Sequence, residues 1–117
     1  MLGKILIALL GVLHVYILVL EMFLWDKPYG LKAFGNSLEK AQLTKVLAQN
    51  QGLYNGFLAA GLFWALLAPA NYATAIANFF LGCVLIAGIY GGLTASKKII
   101  YIQAIPALLA LIVVNVF

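Results

Sequence analysis

Residues 48–64 read AQNQGLYNGFLAAGLFW, and this stretch decides the class of fold. When it is placed on a helix at about 100° per residue, its small and polar residues fall within roughly half of the circumference. That face holds Gly52, Asn55, Gly56, Ala59 and Ala60. The opposite face holds the bulky Leu53, Phe57 and Trp64. Because small residues let helix backbones approach in lipid and amides bond across the interface, the small polar face predicts where neighbouring helices pack.

Composition identifies the class of protein. Hydrophobic residues make up 66% of the 117 residues and charged residues only 9%, whereas a soluble domain carries about a quarter charged residues. An integral membrane protein is therefore predicted, with the lipid bilayer as a partner. The net charge of +4 comes from seven lysines against three acids. No basic face and no alternation of basic with aromatic residues accompanies this charge, so nucleic acid is not a predicted partner.

Four apolar stretches are long enough to be transmembrane helices, since about 20 residues rising about 1.5 Å each cross the hydrocarbon core. They cover residues 5–24, 47–67, 72–93 and 99–117. The predicted fold is an all-α integral membrane protein: a single domain over residues 1–117, with four transmembrane helices in an antiparallel bundle. The first stretch is too long for the apolar region of a signal peptide, and no small-x-small cleavage site follows, so we expect a retained helix. The small-residue faces are compatible with a homo-oligomer.

The loop after the first span is the only sizeable connection. Pro28 and Gly30 are expected to break the first helix and start a turn. A short amphipathic helix is predicted to follow from about Leu38, capped by Asn36 or Ser37.

Lysine positions predict the orientation in the plasma membrane. The loops at residues 25–46 and 94–98 carry six lysines, and only Lys4 lies on the opposite side. Positive residues accumulate in cytoplasmic loops. Both loops are therefore predicted to be cytoplasmic, with both termini and the hairpin at Pro69 outside. The first of these loops is expected to lie on the membrane surface, with its lysines among the lipid headgroups, because it also carries Tyr29 and Phe34.

Two features of the later spans concern helix packing. Gly88 and Gly92 have the GxxxG spacing that is typical of close helix contacts, a weak signal in a chain with 11 glycines. Pro106 leaves the carbonyl of Ile102 without its usual donor, which predicts a kink or a bound partner there. Cys83 is the one cysteine, so an intrachain disulfide is excluded.

Polar side chains of all four spans are predicted to meet in the cytoplasmic half of the bundle. Glu21 is the ionisable member of this set, and an ionisable group inside a span is by default a candidate functional residue. The other candidates are Asn50, Gln51, Tyr54, Asn55, Tyr90 and Gln103. Together they predict a cytoplasm-facing cavity for a small molecule or a lipid, with Glu21 binding a cation or a proton.

His14 lies deeper in the first span, seven residues before Glu21. Seven residues correspond to roughly 10 Å along the helix, so the two side chains share a face but form no catalytic dyad by direct contact. His14 is either a functional residue or a neutral histidine that donates to a backbone carbonyl.

Three classes of function stay open. The first is a protein that binds, or transports, a small molecule or lipid. The second is a membrane enzyme that acts on a lipophilic substrate, with Glu21 or His14 as general acid or base. The third is a structural or regulatory subunit whose amides hold helices together, at about 0.6 kcal/mol for each bond. No P-loop, nucleophile elbow or Cys/His cluster is present, so no metal or cofactor is predicted and no reaction is assigned.

The sequence resembles a known family of short bacterial membrane proteins, grouped under domain of unknown function 1304. The resemblance is carried by Trp25, Pro28 and Phe34 in the first loop and by NQGLYNG at residues 50–56, its most specific part. It covers essentially the whole chain and implies a four-helix integral membrane protein, without an activity, a substrate or catalytic residues. Small multidrug transporters are similar in length and span number, but Glu21 lies near a helix end rather than in mid-membrane.

Overall fold

The computed structural model describes all 117 residues, and its regular elements are all helical. The helices are α1 (Leu2–Met22), α2 (Pro28–Phe34), α3 (Leu38–Leu67), α4 (Ala70–Thr94), a π-helical segment (Ile100–Ala104) and α5 (Ile105–Val116). The all-α class is therefore confirmed.

Two helices are long and apolar enough to cross a membrane, α1 with 21 residues and α4 with 25. The π segment and α5 together form a shorter apolar helix over Ile100–Val116. Helix α3 is the longest, with 30 residues, but it is less hydrophobic, because it carries Asn50 and Gln51 in its first half and Asn55 just past its midpoint. Four spans and their antiparallel arrangement stay predictions.

The first loop contains a short helix that the sequence did not predict, α2 at Pro28–Phe34, whereas the helix predicted from about Leu38 is the start of α3. Pro28, expected to break structure, instead occupies the first turn of α2, where its fixed φ suits a helix and its missing N–H is not needed. Gly35, with φ 68°, ends this helix in the left-handed conformation, and its N–H donates to the carbonyl of Leu31. The segment from Leu38 is not a separate surface helix, because it continues without interruption into α3.

The predicted cap of this second segment is confirmed at Ser37. Its Oγ accepts a hydrogen bond from the backbone N–H of Lys40 at 3.1 Å, which satisfies one free donor of the first turn of α3. Glu39 lies in that first turn, where a negative charge favours the helix dipole.

The chain forms two compact units, one with residues 1–11 and 58–117 and the other with residues 12–57. Helices α1 and α3 each contribute residues to both units. A single domain over residues 1–117 stays a prediction.

In the first unit, α4 packs against the π segment and α5. The buried residues of α4 are Ala77, Leu81, Val84, Gly88 and Gly92. A side chain at Gly88 would overlap the backbone of Ala104, and one at Gly92 would overlap Ile100. The GxxxG spacing therefore serves close packing within this chain.

The helix distortion expected near Pro106 is a π-helical segment. Proline has no N–H to donate to Ile102, and the N–H of Ile105 bonds to the carbonyl of Ile100, five residues earlier. The wider turn lies directly before Pro106, and its Ala104 is the residue that Gly88 approaches.

Small residues form much of the buried surface, and many large apolar side chains are exposed. Alanine occupies most buried apolar positions of α3, beside Leu62, and both buried positions of α5. Leu43 is 80% exposed, Leu67 85% and Ile86 69%. This pattern is typical of helices that pack through small residues in lipid.

The small polar face predicted for α3 is confirmed at its main positions. Gly52, Asn55 and Ala59 are buried. The bulky Leu53, Phe57 and Trp64 are exposed, as is Ala60, which lies at the edge of the buried face.

Candidate functional site

The centre of the candidate site is a hydrogen bond between Glu21 of α1 and Asn55 of α3. The Asn55 Nδ2 donates to Glu21 Oε1 at 2.5 Å and to the backbone carbonyl of Gln51 at 3.1 Å. Glu21 is 3% exposed and Asn55 7% exposed. The second hydrogen bond holds the Asn55 side chain against its own helix, so the amide has a fixed orientation toward the carboxylate.

Glycine at position 52 permits this arrangement, because it lets the backbones of α1 and α3 approach. A Cβ at Gly52 would stand 3.1 Å from the Cβ of Glu21 and 3.3 Å from the carbonyl oxygen of Leu18, and it would also meet the side chain of Met22. Gly56 lies one turn further along α3, opposite the side chain of Leu18. The two glycines and Asn55 thus form the surface on which Glu21 is buried.

The carboxylate of Glu21 has a neutral partner rather than a basic one. The ion pair in this unit joins Lys45 and Asp26, and no lysine ammonium lies within 4.0 Å of Glu21. A carboxylate in an apolar interior needs a proton, a cation or fixed dipoles to stabilise it. The Asn55 amide supplies one such dipole, which leaves the carboxylate chemically able to take up a positive charge.

Two side-chain contacts join the turn after α1 to the first half of α3. They lie close to this site in sequence. The Trp25 Nε1 donates to Thr44 Oγ1 at 3.1 Å, and Lys45 Nζ lies 3.0 Å from Asp26 Oδ2. The hydrogen bond from Lys45 holds the pKa of the Asp26 carboxyl below its ordinary value. We call these four residues the clasp. Trp25 therefore has a specific polar partner on α3.

His14 is fully buried on α1, at 0% exposure, seven residues before Glu21. Burial of its ring fits both interpretations given to it, a functional residue or a neutral histidine with a polar partner.

The structure brings only part of the predicted set together. Asn50, Gln51 and Tyr54 are exposed, and Tyr54 is 64% exposed on the outer side of α3. Only the backbone carbonyl of Gln51 takes part in the site, as the second acceptor for Asn55.

Tyr90 and Gln103 belong to the other unit. Tyr90 is 69% exposed, and its backbone carbonyl accepts a hydrogen bond from the Thr94 hydroxyl at 2.7 Å. Gln103 is half-buried in the π segment.

Further features of the structure have little or no local sequence signal. Asn78 and Asn115, 37 residues apart, exchange two side-chain hydrogen bonds of 3.0 and 2.7 Å. A cavity of about 220 Å³ in the first unit is lined mainly by apolar residues, with Lys4 and Thr74 as polar members. No group of three or more His, Cys, Asp and Glu side chains is arranged to hold a metal ion.

Fold and site together define the class: a small all-helical protein with two membrane-length apolar helices and a carboxylate–amide pair buried between α1 and α3. Comparison with known proteins gives the family. The chain belongs to the family described as Protein of unknown function (DUF1304), which matches residues 8–115. It is also similar to "Uncharacterized protein YpaA" of Lactococcus lactis subsp. lactis (strain IL1403), at 34% identity over 99 residues, covering 83% of this chain and 82% of that protein. No solved structure matches.

Proposed function

We propose that this protein is an integral membrane protein that binds a proton or a small cationic ligand at Glu21, and that the same site serves transport if it opens to both sides. The observation that carries the proposal is the burial of the Glu21 carboxylate, 3% exposed, against an amide donor and without a lysine partner. An ionisable side chain inside a membrane segment is expensive and is most simply explained by a function.

The membrane part of the proposal comprises four spans, formed by α1, α3, α4 and the π segment with α5. Support comes from a mean hydropathy of +1.10 and from the exposed large apolar side chains of all four helices. The lysine bias supports a plasma-membrane orientation with the loops at residues 25–46 and 94–98 in the cytoplasm and the termini outside. Glu21, at the end of α1 that precedes the first of these loops, would then bind its ligand near the cytoplasmic surface.

The chemistry of the site favours a positive charge over an anion or a neutral polar ligand. A carboxylate oxygen accepts hydrogen bonds or binds a cation, and the Asn55 amide fixes one oxygen while the Gln51 carbonyl fixes the amide. Binding then replaces water around the ligand with groups that are already oriented.

Ligand-induced thermal stabilisation tests the proposal. Anything that binds only the folded state raises the melting temperature, by an amount that depends on its concentration relative to Kd. The purified full-length protein is screened with Na⁺, K⁺, Mg²⁺ and tetraphenylphosphonium at constant ionic strength. We expect at least one of these cations to raise the melting temperature, and Glu21→Gln to abolish the effect.

Glu39→Gln is the matched control, since Glu39 is exposed in the first turn of α3 and should leave the response unchanged. A Glu21→Gln variant that responds to the cations as the wild type does would overturn the proposal. So would a wild-type protein that responds to none of the four cations and whose melting temperature depends on pH in the same way as that of Glu21→Gln.

A structural role for the same pair is the second candidate, and the closed geometry of the pair favours it. The Asn55 amide bonds α1 to α3 directly. If that is its whole role, loss of the amide lowers stability or assembly. Neither the wild type nor the variant then responds to any of the cations.

A further inference from the structure

We infer that the first loop forms a binding surface for anionic phospholipid headgroups, made by Lys27, Lys32 and Lys40, which we call the basic surface. The inference rests on the membrane embedding proposed above and is separate from the Glu21 site.

Charge distribution within residues 25–46 is the first argument. The segment carries four lysines and two acids, Asp26 and Glu39. One acid is already neutralised, because Asp26 forms the ion pair with Lys45. Lys27, Lys32 and Lys40 are exposed and form no ion pair within 4.0 Å. Three lysines without an ion pair therefore remain in this segment, against one remaining acid, Glu39.

The second argument is that α2, which carries Lys32 and directly follows Lys27, is fixed against α1 and the turn after it, so that these two lysines keep a constant place. Tyr29 of α2 and Tyr16 of α1 are joined through their hydroxyls at 2.5 Å. The rings of Phe34 and Trp25 lie 4.8 Å apart between centroids. Gly30 is buried so close to the carbonyl of Leu24 that no side chain fits between them.

The third argument is the mixture of side chains around these lysines. Tyr29 is 58% exposed and Phe34 39% exposed, although neither aromatic side chain carries a charge that would require water. Lys32 follows Tyr29 by three residues, so both lie on one side of α2. Exposed aromatic rings beside lysines are typical of segments at the headgroup level of a membrane. The ligand that matches both the aromatic rings and the positive charge is an anionic lipid in the leaflet nearest the C-terminal end of α1.

Bromine-labelled lipids test the inference in nanodiscs that contain the full-length protein. Trp64→Phe leaves Trp25, whose ring contacts that of Phe34, as the only tryptophan. Its fluorescence is compared with brominated phosphatidylglycerol and with brominated phosphatidylcholine at equal fractions. Since each lysine at an anionic surface contributes about 1 kcal/mol, we expect phosphatidylglycerol to be enriched at least about fivefold around Trp25.

The variant Lys27→Gln/Lys32→Gln/Lys40→Gln should reduce that enrichment toward one. Lys97→Gln/Lys98→Gln is the control, because these lysines belong to the other unit and their loss should leave the enrichment intact. Native mass spectrometry of phospholipid retained by the wild type and by the triple variant gives an independent reading that does not need the Trp64→Phe background.

Equal quenching of Trp25 by the two lipids would overturn the inference and would favour a protein partner as the ligand of the basic surface. An enrichment unchanged in the triple variant would overturn it as well. Absence of quenching by either lipid would instead contradict the membrane embedding itself, so the two failures are distinguishable.

Discussion

The side-chain amide of Asn55 donates hydrogen bonds to two acceptors, and the acceptor on α1 is the buried carboxylate of Glu21. Replacement by leucine would keep the approximate size but remove the donor, so that Glu21 would stay buried without its partner. An unsatisfied buried polar group costs about 1–3 kcal/mol, and more when it is charged. We therefore expect Asn55→Leu to lower the free energy of unfolding by at least about 1 kcal/mol, measured by denaturant titration in mixed micelles.

A double-mutant cycle with Glu21→Gln isolates the pair, since the loss from Asn55→Leu should be smaller when the acceptor is a neutral amide. Asn50→Leu is the control, because Asn50 is exposed on the same helix and should change stability by less than about 0.5 kcal/mol. A stabilised Asn55→Leu protein, or additive effects of the two substitutions in the cycle, would show that this hydrogen bond does not stabilise the fold.

Gly52 and Gly82 provide a matched pair of glycines. Alanine at position 52 would meet Met22, Glu21 and the carbonyl of Leu18, and overpacking of this kind costs about 1–3 kcal/mol. Nothing lies within 4 Å of a Cβ at Gly82, so alanine there should stabilise α4 by about 0.5–1 kcal/mol. Thermal unfolding of the two variants should therefore shift in opposite directions. Shifts of the same sign would mean that the approach of α1 to Gly52 is not tight.

Individual residues of the site were partly predictable from the sequence. Glu21 and Asn55 stand out because a charge and an amide are rare in apolar helices, and both are in the predicted set. Tyr54 shows the limit of that reasoning, since depth along a helix does not give the direction of a side chain, and this ring is 64% exposed. Pairs such as Trp25 with Thr44 depend on how two helices align, which no local pattern encodes.

At the scale of elements, the clasp should respond to pH with a sign that the structure predicts. The pKa of Asp26 is lowered from its ordinary value of 3.8 in the folded protein, mainly by the hydrogen bond from Lys45. The stabilisation is therefore present above pH 3.8 and is lost as pH falls through the lower folded value. Because solvent screens an ion pair near the surface, the effect is small.

The measurement is the difference in melting temperature between wild type and Asp26→Asn at neutral pH and at pH 3. Wild type should be the more stable at neutral pH, with the difference shrinking in acid. Lys45→Gln should show the same trend, since it removes the other partner of the same bond. A difference that grows in acid would contradict the direction of the pKa shift.

Gly35 determines where α2 ends. Its φ of 68° is a conformation that residues with a side chain rarely adopt. Gly35→Ala should therefore destabilise the protein by about 1 kcal/mol, while Gly35→Asn should cost less, because asparagine tolerates the left-handed region. Chemical unfolding of both variants tests this order, and an alanine variant as stable as wild type would show that the end of α2 is free to rearrange.

The elements themselves divide into those that the sequence predicted and one that it missed. Long apolar runs predicted the positions of α1 and α4 to within a few residues. Helix α2 was missed because Pro28 and Gly30 were interpreted as breakers, although proline is typical of the first helical position and Gly30 is needed for its close approach to Leu24. Ser37 gave a correct helix start, but the continuity of α3 beyond it depends on packing along 30 residues.

At the scale of the molecule, composition alone predicted the all-helical class, because a chain with 66% hydrophobic residues buries its backbone polar groups most simply in helices. The number of spans and their orientation need a separate test. Single cysteines can be introduced in a Cys83→Ser background, at Ser96 and at Asn71, both exposed. We expect a membrane-impermeant maleimide to label Asn71→Cys in intact cells and Ser96→Cys only after the membrane is opened.

The reverse pattern would invert the orientation and place Glu21 near the outer surface. Labelling of both positions from one side would contradict α4 as a span, since Asn71 and Ser96 lie at its two ends.

Native mass spectrometry of the gently purified protein measures cation binding at Glu21 and subunit number in one experiment. The wild type is compared with Glu21→Gln, in the presence of the cation that stabilises the wild type most. We expect a defined cation adduct on the wild type, none on Glu21→Gln, and the same subunit number for both. An adduct that persists in Glu21→Gln, or a wild type that stays empty, would contradict a cation site at Glu21.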